Sequence, residues 1–135
     1  MPSAWDDALP EILETVLFDQ NGLVPAIAQQ DGTGEVLMMA WMNREAIKKT
    51  LATGQVHYWS RSRKQLWRKG ESSGQTQTLI DFRLDCDGDT VLVTVEQKGV
   101  ACHTGRQSCF FRAVRGGKLE NVEDVLVDPK NLYKS

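Results

Sequence analysis

The chain has 135 residues, 41% of them hydrophobic and 25% charged, with a formal net charge of -2. That is enough for one domain with its own core, and the composition is that of an ordinary soluble globular protein. No apolar run approaches the ~20 residues of a membrane span, and the segment Met1 to Asp7 has neither the basic nor the apolar region of a secretory leader.

No internal repeat, low-complexity tract or linker interrupts residues 1–135, which read as a single domain. Glu11 to Phe18 is expected to form a short helix. Leu23 to Gln29 and Glu35 to Ala40 flank the turn Asp31-Gly32-Thr33-Gly34 and predict a hairpin. A clear helix follows over about 43–53: Asn43 is an N-cap, Ala46, Ile47, Thr50 and Leu51 form an apolar face, and Gly54 is a C-terminal stop. Beyond it the pattern shifts towards period two, predicting strands at Val56 to Ser60, Gln75 to Leu84, Thr90 to Glu96 and Cys109 to Val114. The expected fold class is α+β: mostly β-sheet, with this helix and short flanking helices.

The chain has three cysteines, Cys86, Cys102 and Cys109, an odd number that excludes a fully paired disulfide framework within one chain. A cytoplasmic protein with reduced thiols is expected. A free cysteine is often a small buried hydrophobe, a reading that suits Cys109 in its strand-like segment and suits Cys86 poorly, between two aspartates in a polar turn. Thiolates are soft ligands for zinc, and carboxylates are hard ligands for magnesium or calcium. Their interleaving in Asp85-Cys86-Asp87-Gly88-Asp89 therefore points to two adjacent metals. Three thiolates leave a fourth zinc position open, as in a catalytic site. His103 adjoins Cys102 and points away from it in an extended segment, which favours a base over a fourth ligand.

Cys86 precedes the predicted 90–96 strand and Cys102 follows it, a separation of roughly 20 Å or more at ~3.3 Å per residue. The simplest arrangement shares one zinc between two chains of a symmetric homodimer, with Cys86 from one and Cys102 and Cys109 from the other. Asp85, Asp87 and Asp89 alternate and would cluster on one side of an extended backbone; the plain alternative is a solvated acidic turn. An EF-hand fails, because Thr90 stands where that loop needs glycine and Val91 to Val95 is strand-like.

Arg61, Arg63, Lys64, Arg68 and Lys69 form an acid-free basic run that leads into Ser72-Ser73-Gly74. Arginine forks, hydroxyls and glycine-rich turns hold phosphate. A solvated face and a nucleic-acid surface, with Trp59 and Trp67 as stacking platforms, are the competing readings. The negative net charge favours a small phosphorylated ligand over nucleic acid. Other classes remain open: a zinc-stabilised binding module, or another zinc hydrolase such as a nucleotide deaminase, although the His-x-Glu and Pro-Cys-x-x-Cys pattern of the latter is absent.

The segments Met39-Ala40-Trp41-Met42-Asn43, Tyr58-Trp59-Ser60-Arg61-Ser62-Arg63, Leu66-Trp67-Arg68-Lys69-Gly70-Glu71-Ser72-Ser73-Gly74, Asp85-Cys86-Asp87-Gly88-Asp89, Ala101-Cys102-His103-Thr104-Gly105 and Ser108-Cys109-Phe110 resemble the phosphoribosyl-AMP cyclohydrolases of histidine biosynthesis. The resemblance runs from about Leu23 to Val114, in order and without large gaps, and suggests the form without a fused pyrophosphohydrolase domain. It implies a cytoplasmic homodimer that opens the adenine ring of N1-(5-phosphoribosyl)-AMP between N1 and C6. It also implies one zinc per subunit at the interface, held by Cys86, Cys102 and Cys109, and magnesium on Asp85, Asp87 and Asp89. Zinc lowers the pKa of a bound water from ~15.7 to about 7. His103 would exchange protons with the reacting groups, and His57 is a second histidine whose commoner role is structural. Arg61, Arg63, Lys69, Ser72, Ser73 and Gly74 would hold the two phosphates of the substrate.

Overall fold

Backbone hydrogen bonding sorts residues 5–132, those described by a computed structural model, into α1 (Leu9–Thr15), β1 (Val24–Gln30), β2 (Val36–Met42), α2 (Arg44–Thr53), β3 (His57–Ser60), β4 (Gln65–Arg68), β5 (Gln77–Leu84), β6 (Val91–Gln97), β7 (Arg112–Arg115), β8 (Lys118–Asn121) and α3 (Pro129–Leu132). Met1 to Ala4, the start of the segment read for a leader, lie outside these residues. Among the described residues no helix is long and apolar enough to cross a membrane. Strands predominate, and the class is α+β as expected.

Six strands form one sheet in the order β4-β3-β2-β1-β6-β5, and β7 and β8 form a separate hairpin. All neighbours are antiparallel except β1 and β6, which run parallel in the middle of the large sheet. Strand periodicity decides which face is covered. Val24, Ala26 and Ala28 on β1 and Val91, Val93 and Val95 on β6 all point to one side and are buried. The apolar face of α2, namely Ala46, Ile47, Thr50 and Leu51, joins the same core. Asn43 accepts the Ala46 N–H at 2.8 Å, and Gly54 ends α2 in the left-handed region. Thr50 is fully buried, and its hydroxyl accepts the His57 N–H at 2.9 Å, tying the last turn of α2 to β3.

Several expected boundaries move by a few residues, and two of the shifts have a visible cause. The first helix stops at Thr15 rather than Phe18, because Val16 turns extended and the Leu17 N–H donates to the Gly88 carbonyl at 2.8 Å. The strand expected from Cys109 begins only at Arg112. The Cys109 N–H is taken by the Leu37 carbonyl at 2.7 Å, so this stretch is tied to β2 before it can enter the β7–β8 ladder.

A chain of polar side chains runs through the core. The Tyr58 hydroxyl donates to Gln77 Oε1 at 2.7 Å, and Gln77 Nε2 donates to Gln97 Oε1 at 2.9 Å. Gln97 Nε2 in turn reaches the carbonyls of Gln75, Lys98 and Val100 at 3.1, 2.9 and 3.4 Å. Tyr58 and Gln77 are fully buried, so no water can replace a lost partner. Replacing Gln77 with Leu should cost about 1–3 kcal/mol for each group left unpaired. A urea unfolding midpoint within error of the parent would show that this chain of bonds contributes nothing.

Candidate active site

The basic segment becomes one wall of a cleft of about 760 Å³. The β3–β4 hairpin contributes Ser60, Ser62, Arg63 and Gln65, and the strand end and the turn after it contribute Trp67, Arg68, Lys69, Glu71, Ser72 and Ser73. The opposite wall is the loop after β6, with Ala101, His103 and Cys109, together with Met38 of β2 and Pro129 of α3. Arg63, Lys69, Ser72, Ser73 and His103 thus face one space. Gly74 does not line it. Arg61 turns away, its guanidinium lying 4.6 Å from the centre of the Trp41 ring. Arg68, part of the basic run, and Trp67, weighed there only as a stacking platform, also line the cleft although neither was expected to hold the substrate's phosphates. The only ion pair among the described residues is Arg83 with Asp81, which leaves Arg63 and Arg68 without a carboxylate partner.

The loop carrying the second and third cysteines is closely held. Its ends pair through Ala101 N–H to the Gln107 carbonyl and Cys102 N–H to the Arg106 carbonyl, both at 3.1 Å, with Gly105 in the left-handed region at the tip. The Gly105 carbonyl accepts the N–H groups of Leu126 and Val127 at 2.8 and 3.1 Å, and a Cβ at Gly105 would collide with the Val127 carbonyl. The buried Ser108 hydroxyl donates to the Val36 carbonyl at 2.7 Å and accepts the Phe110 N–H at 2.9 Å. Ser108 went unassigned in the sequence, where a serine between two loop residues carries no visible signal. Cys102 is buried, and Thr104 donates its hydroxyl to Cys102 Sγ at 3.0 Å.

Cys102 and Cys109 form a side-chain pair. Burial, the adjacent Cys102 charge and a hydrogen bond with Cys102 push the Cys109 thiol up to about 12, opposed by the nearby Lys69. Lys69 reaches across from the basic wall and donates from Nζ to the Ala101 carbonyl at 2.7 Å. Burial lowers its pKa, and the two cysteines work against that shift. Such a sulfur pair beside a cation suits a soft dication, which would replace the thiol protons.

Cys86 is elsewhere. It is exposed at the other end of β6, and among the described residues no group of three His, Cys, Asp or Glu within 4.8 Å unites it with Cys102 and Cys109. Beside it, Asp85, Asp87 and Asp89 do place one ligand atom each within 4.8 Å of one another, all exposed. Hydrogen bonding with Asp85 and Asp87, and the repulsion of their charges, raises Asp89 to about 6. Burial works to raise Asp85, but hydrogen bonds from Asp89, Asp87 and Thr90 outweigh it and lower its pKa. Its Oδ1 accepts the Asp89 and Thr90 N–H groups at 3.0 and 3.2 Å. The turn is packed against the end of α1, where a Cβ on Gly88 would stand 2.5 Å from the Thr15 carbonyl.

His57 is buried, with Nδ1 donating to the Gln55 carbonyl at 2.7 Å, and lies outside the main cleft. A cleft joining cations, hydroxyls, an exposed histidine and the Cys109 sulfur suits an enzyme acting on a small polar molecule. The family model for phosphoribosyl-AMP cyclohydrolase matches residues 38–111, more than half of the chain. Curated proteins of that name are similar over nearly the whole length. The one from Granulibacter bethesdensis is 60% identical over 128 residues, covering 94% of this chain and 100% of that protein. That from Rhodospirillum centenum is 62% identical over 93% and 94%, and that from Paramagnetospirillum magneticum 61% identical over 98% and 98%. The chain belongs to the phosphoribosyl-AMP cyclohydrolase family, whose members are hydrolases.

Burial lowers the pKa of His57 from its ordinary 6.5, so the unfolded chain takes up this proton first. Its contribution to stability is complete above that ordinary value and declines as pH falls towards the lowered one. His57→Asn, which keeps a donor for Gln55, should flatten the loss of stability between about pH 7.5 and about pH 5.5. Equal losses in parent and variant, measured by urea unfolding, would contradict this.

Proposed function

We propose that this protein hydrolyses N1-(5-phosphoribosyl)-AMP in the third step of histidine biosynthesis, as a cytoplasmic homodimer dependent on zinc and magnesium. The observation that carries the reading is the single cleft whose opposite walls hold His103 with Cys109, and Arg63 with Ser72 and Ser73. Cys102 and Cys109 would hold zinc together with Cys86 of the partner subunit. Asp85, Asp87 and Asp89, whose mutual repulsion a dication relieves, would hold magnesium. Bound zinc supplies Lewis acidity and an activated water at neutral pH.

The remaining chemistry belongs to the chain. Arg63, Arg68, Ser72 and Ser73 offer charge-assisted and hydroxyl hydrogen bonds to phosphate, and Trp67 and Met38 in the same cleft would give the purine an apolar surface. His103, exposed at the cleft, accepts a proton from the attacking water as its oxygen bonds to C6. The hydroxyl hydrogen left on C6 passes to the exocyclic nitrogen, which becomes the carboxamide NH2, the N1–C6 bond breaks as C6 becomes the carboxamide carbonyl carbon, and His103 returns the first proton to N1.

Sharing of zinc between chains is favoured by the placement of Cys86 at the far end of β6 from the other two cysteines. It also gives a use to the exposed apolar side chains of Phe110, next in sequence to Cys109, and of Val114 and Leu119 on the β7–β8 hairpin.

The direct test is absorbance of the adenine chromophore with phosphoribosyl-AMP and magnesium, with and without chelator. Chelator-sensitive conversion to the imidazole carboxamide is expected; no turnover by folded, zinc-loaded protein would refute the assignment. His103→Ala should lower kcat by about 10²–10⁴-fold with zinc retained. Unchanged turnover would leave His103 a bystander. Cys86→Ala and Cys102→Ala should each abolish turnover alone. Co-expressed, they should recover about a quarter of it, since half of random dimers are mixed and each mixed dimer keeps one intact site of two. No recovery would place all three sulfurs on zinc within one chain.

A further inference from the structure

Lys69 differs from the other cations of its wall. Its backbone is held on both sides: its N–H donates to the Val56 carbonyl at 2.9 Å, and a Cβ on the next residue, Gly70, would stand 2.6 Å from both Gln75 C and Thr76 N. The side chain consequently leaves a fixed point at the end of β4 and crosses to the Ala101 carbonyl at 2.7 Å. Ala101 is buried and immediately precedes the buried Cys102. An ammonium has three donors and no acceptor, and taking it out of water is costly unless anionic partners offset the loss. One neutral carbonyl is too little. The anionic partners within its reach would be the two sulfurs, Cys102 and Cys109, once they are thiolates on a metal.

We propose that Lys69 is a positioning residue for the sulfur donors rather than a phosphate ligand, tying the backbone that enters Cys102 to the end of β4 and offsetting the charge of the thiolates. This rests on the reading of the cysteines as zinc donors. Three thiolates on a dication leave one net negative charge, and one ammonium at the sulfur pair cancels it. Such outer partners of metal ligands are worth about 10–100-fold in metal affinity.

The test is titration of the metal-free protein with cobalt(II), followed by thiolate-to-cobalt absorption, and then competition with zinc. The parent, Lys69→Met, Lys69→Gln and Lys69→Arg are compared, with KM and kcat measured at saturating zinc. The expected result is about 10–100-fold weaker metal binding in Lys69→Met. Lys69→Arg should restore most of it, and KM should change little once the metal is saturating. Parent-like metal affinity with a raised KM would overturn the proposal and return Lys69 to phosphate binding. If Lys69→Met does not fold, Lys69→Gln, which keeps a donor without the charge, should still bind cobalt more weakly than Lys69→Arg. Equal affinities in Gln and Arg variants would also overturn it. A parent protein with no thiolate-to-cobalt absorption would reject the zinc reading itself, and this proposal with it.

Discussion

The site depends on a run of buried hydrogen bonds from Tyr58 through Gln77 to Gln97. A buried amide that has given up water must find protein partners in one geometry, so these three side chains fix β3, β5 and β6 relative to one another. The last member sets the start of the loop after β6, because Gln97 Nε2 holds the Lys98 and Val100 carbonyls. Gln77 also donates to Met38 Sδ at 3.3 Å, which brings the cleft wall into the same arrangement. Among the described residues no buried side-chain nitrogen or oxygen lacks a partner. The position of the cysteine loop is thus set by the protein interior, one residue layer away from the cleft.

Charge is divided between the two ends of β6. The carboxylates gather at its start and the sulfur pair lies beyond its finish, with a rigid strand between them. Hard and soft donors are neighbours in the sequence only at Asp85 to Asp89. The folded chain separates the Cys102–Cys109 pair from them by the length of β6.

Elements governed by local signals were legible in the sequence. Asn43 and Gly54 bound α2 because capping is decided within one turn, and the Asp31 to Gly34 turn marks its hairpin for the same reason. Elements decided at long range were not. Gln65–Arg68 is a half-exposed edge strand whose basic residues conceal any alternation, and it forms because Tyr58 and Trp67 pack with ring centres 5.2 Å apart. Cys109 was expected in a strand, and only the folded chain shows the Leu37 carbonyl that holds it elsewhere. In the site, residue types pointed to the cysteines, the aspartate cluster and the basic wall. Composition could not tell that Arg61 would lie on Trp41 or that Lys69 would cross the cleft, since both depend on where distant segments arrive.

The parallel pairing of β1 with β6 has a consequence for synthesis on the ribosome. The β1–β2 hairpin and α2 can form as soon as they emerge, but one edge of β1 finds no partner until residues 91–97 have been made. A long-range parallel pairing closes slowly, and an unpaired edge is a template for another strand. The nascent chain is therefore most exposed to mispairing after its N-terminal half is complete, and arrival of β6 both ends that hazard and brings the cysteine loop into place.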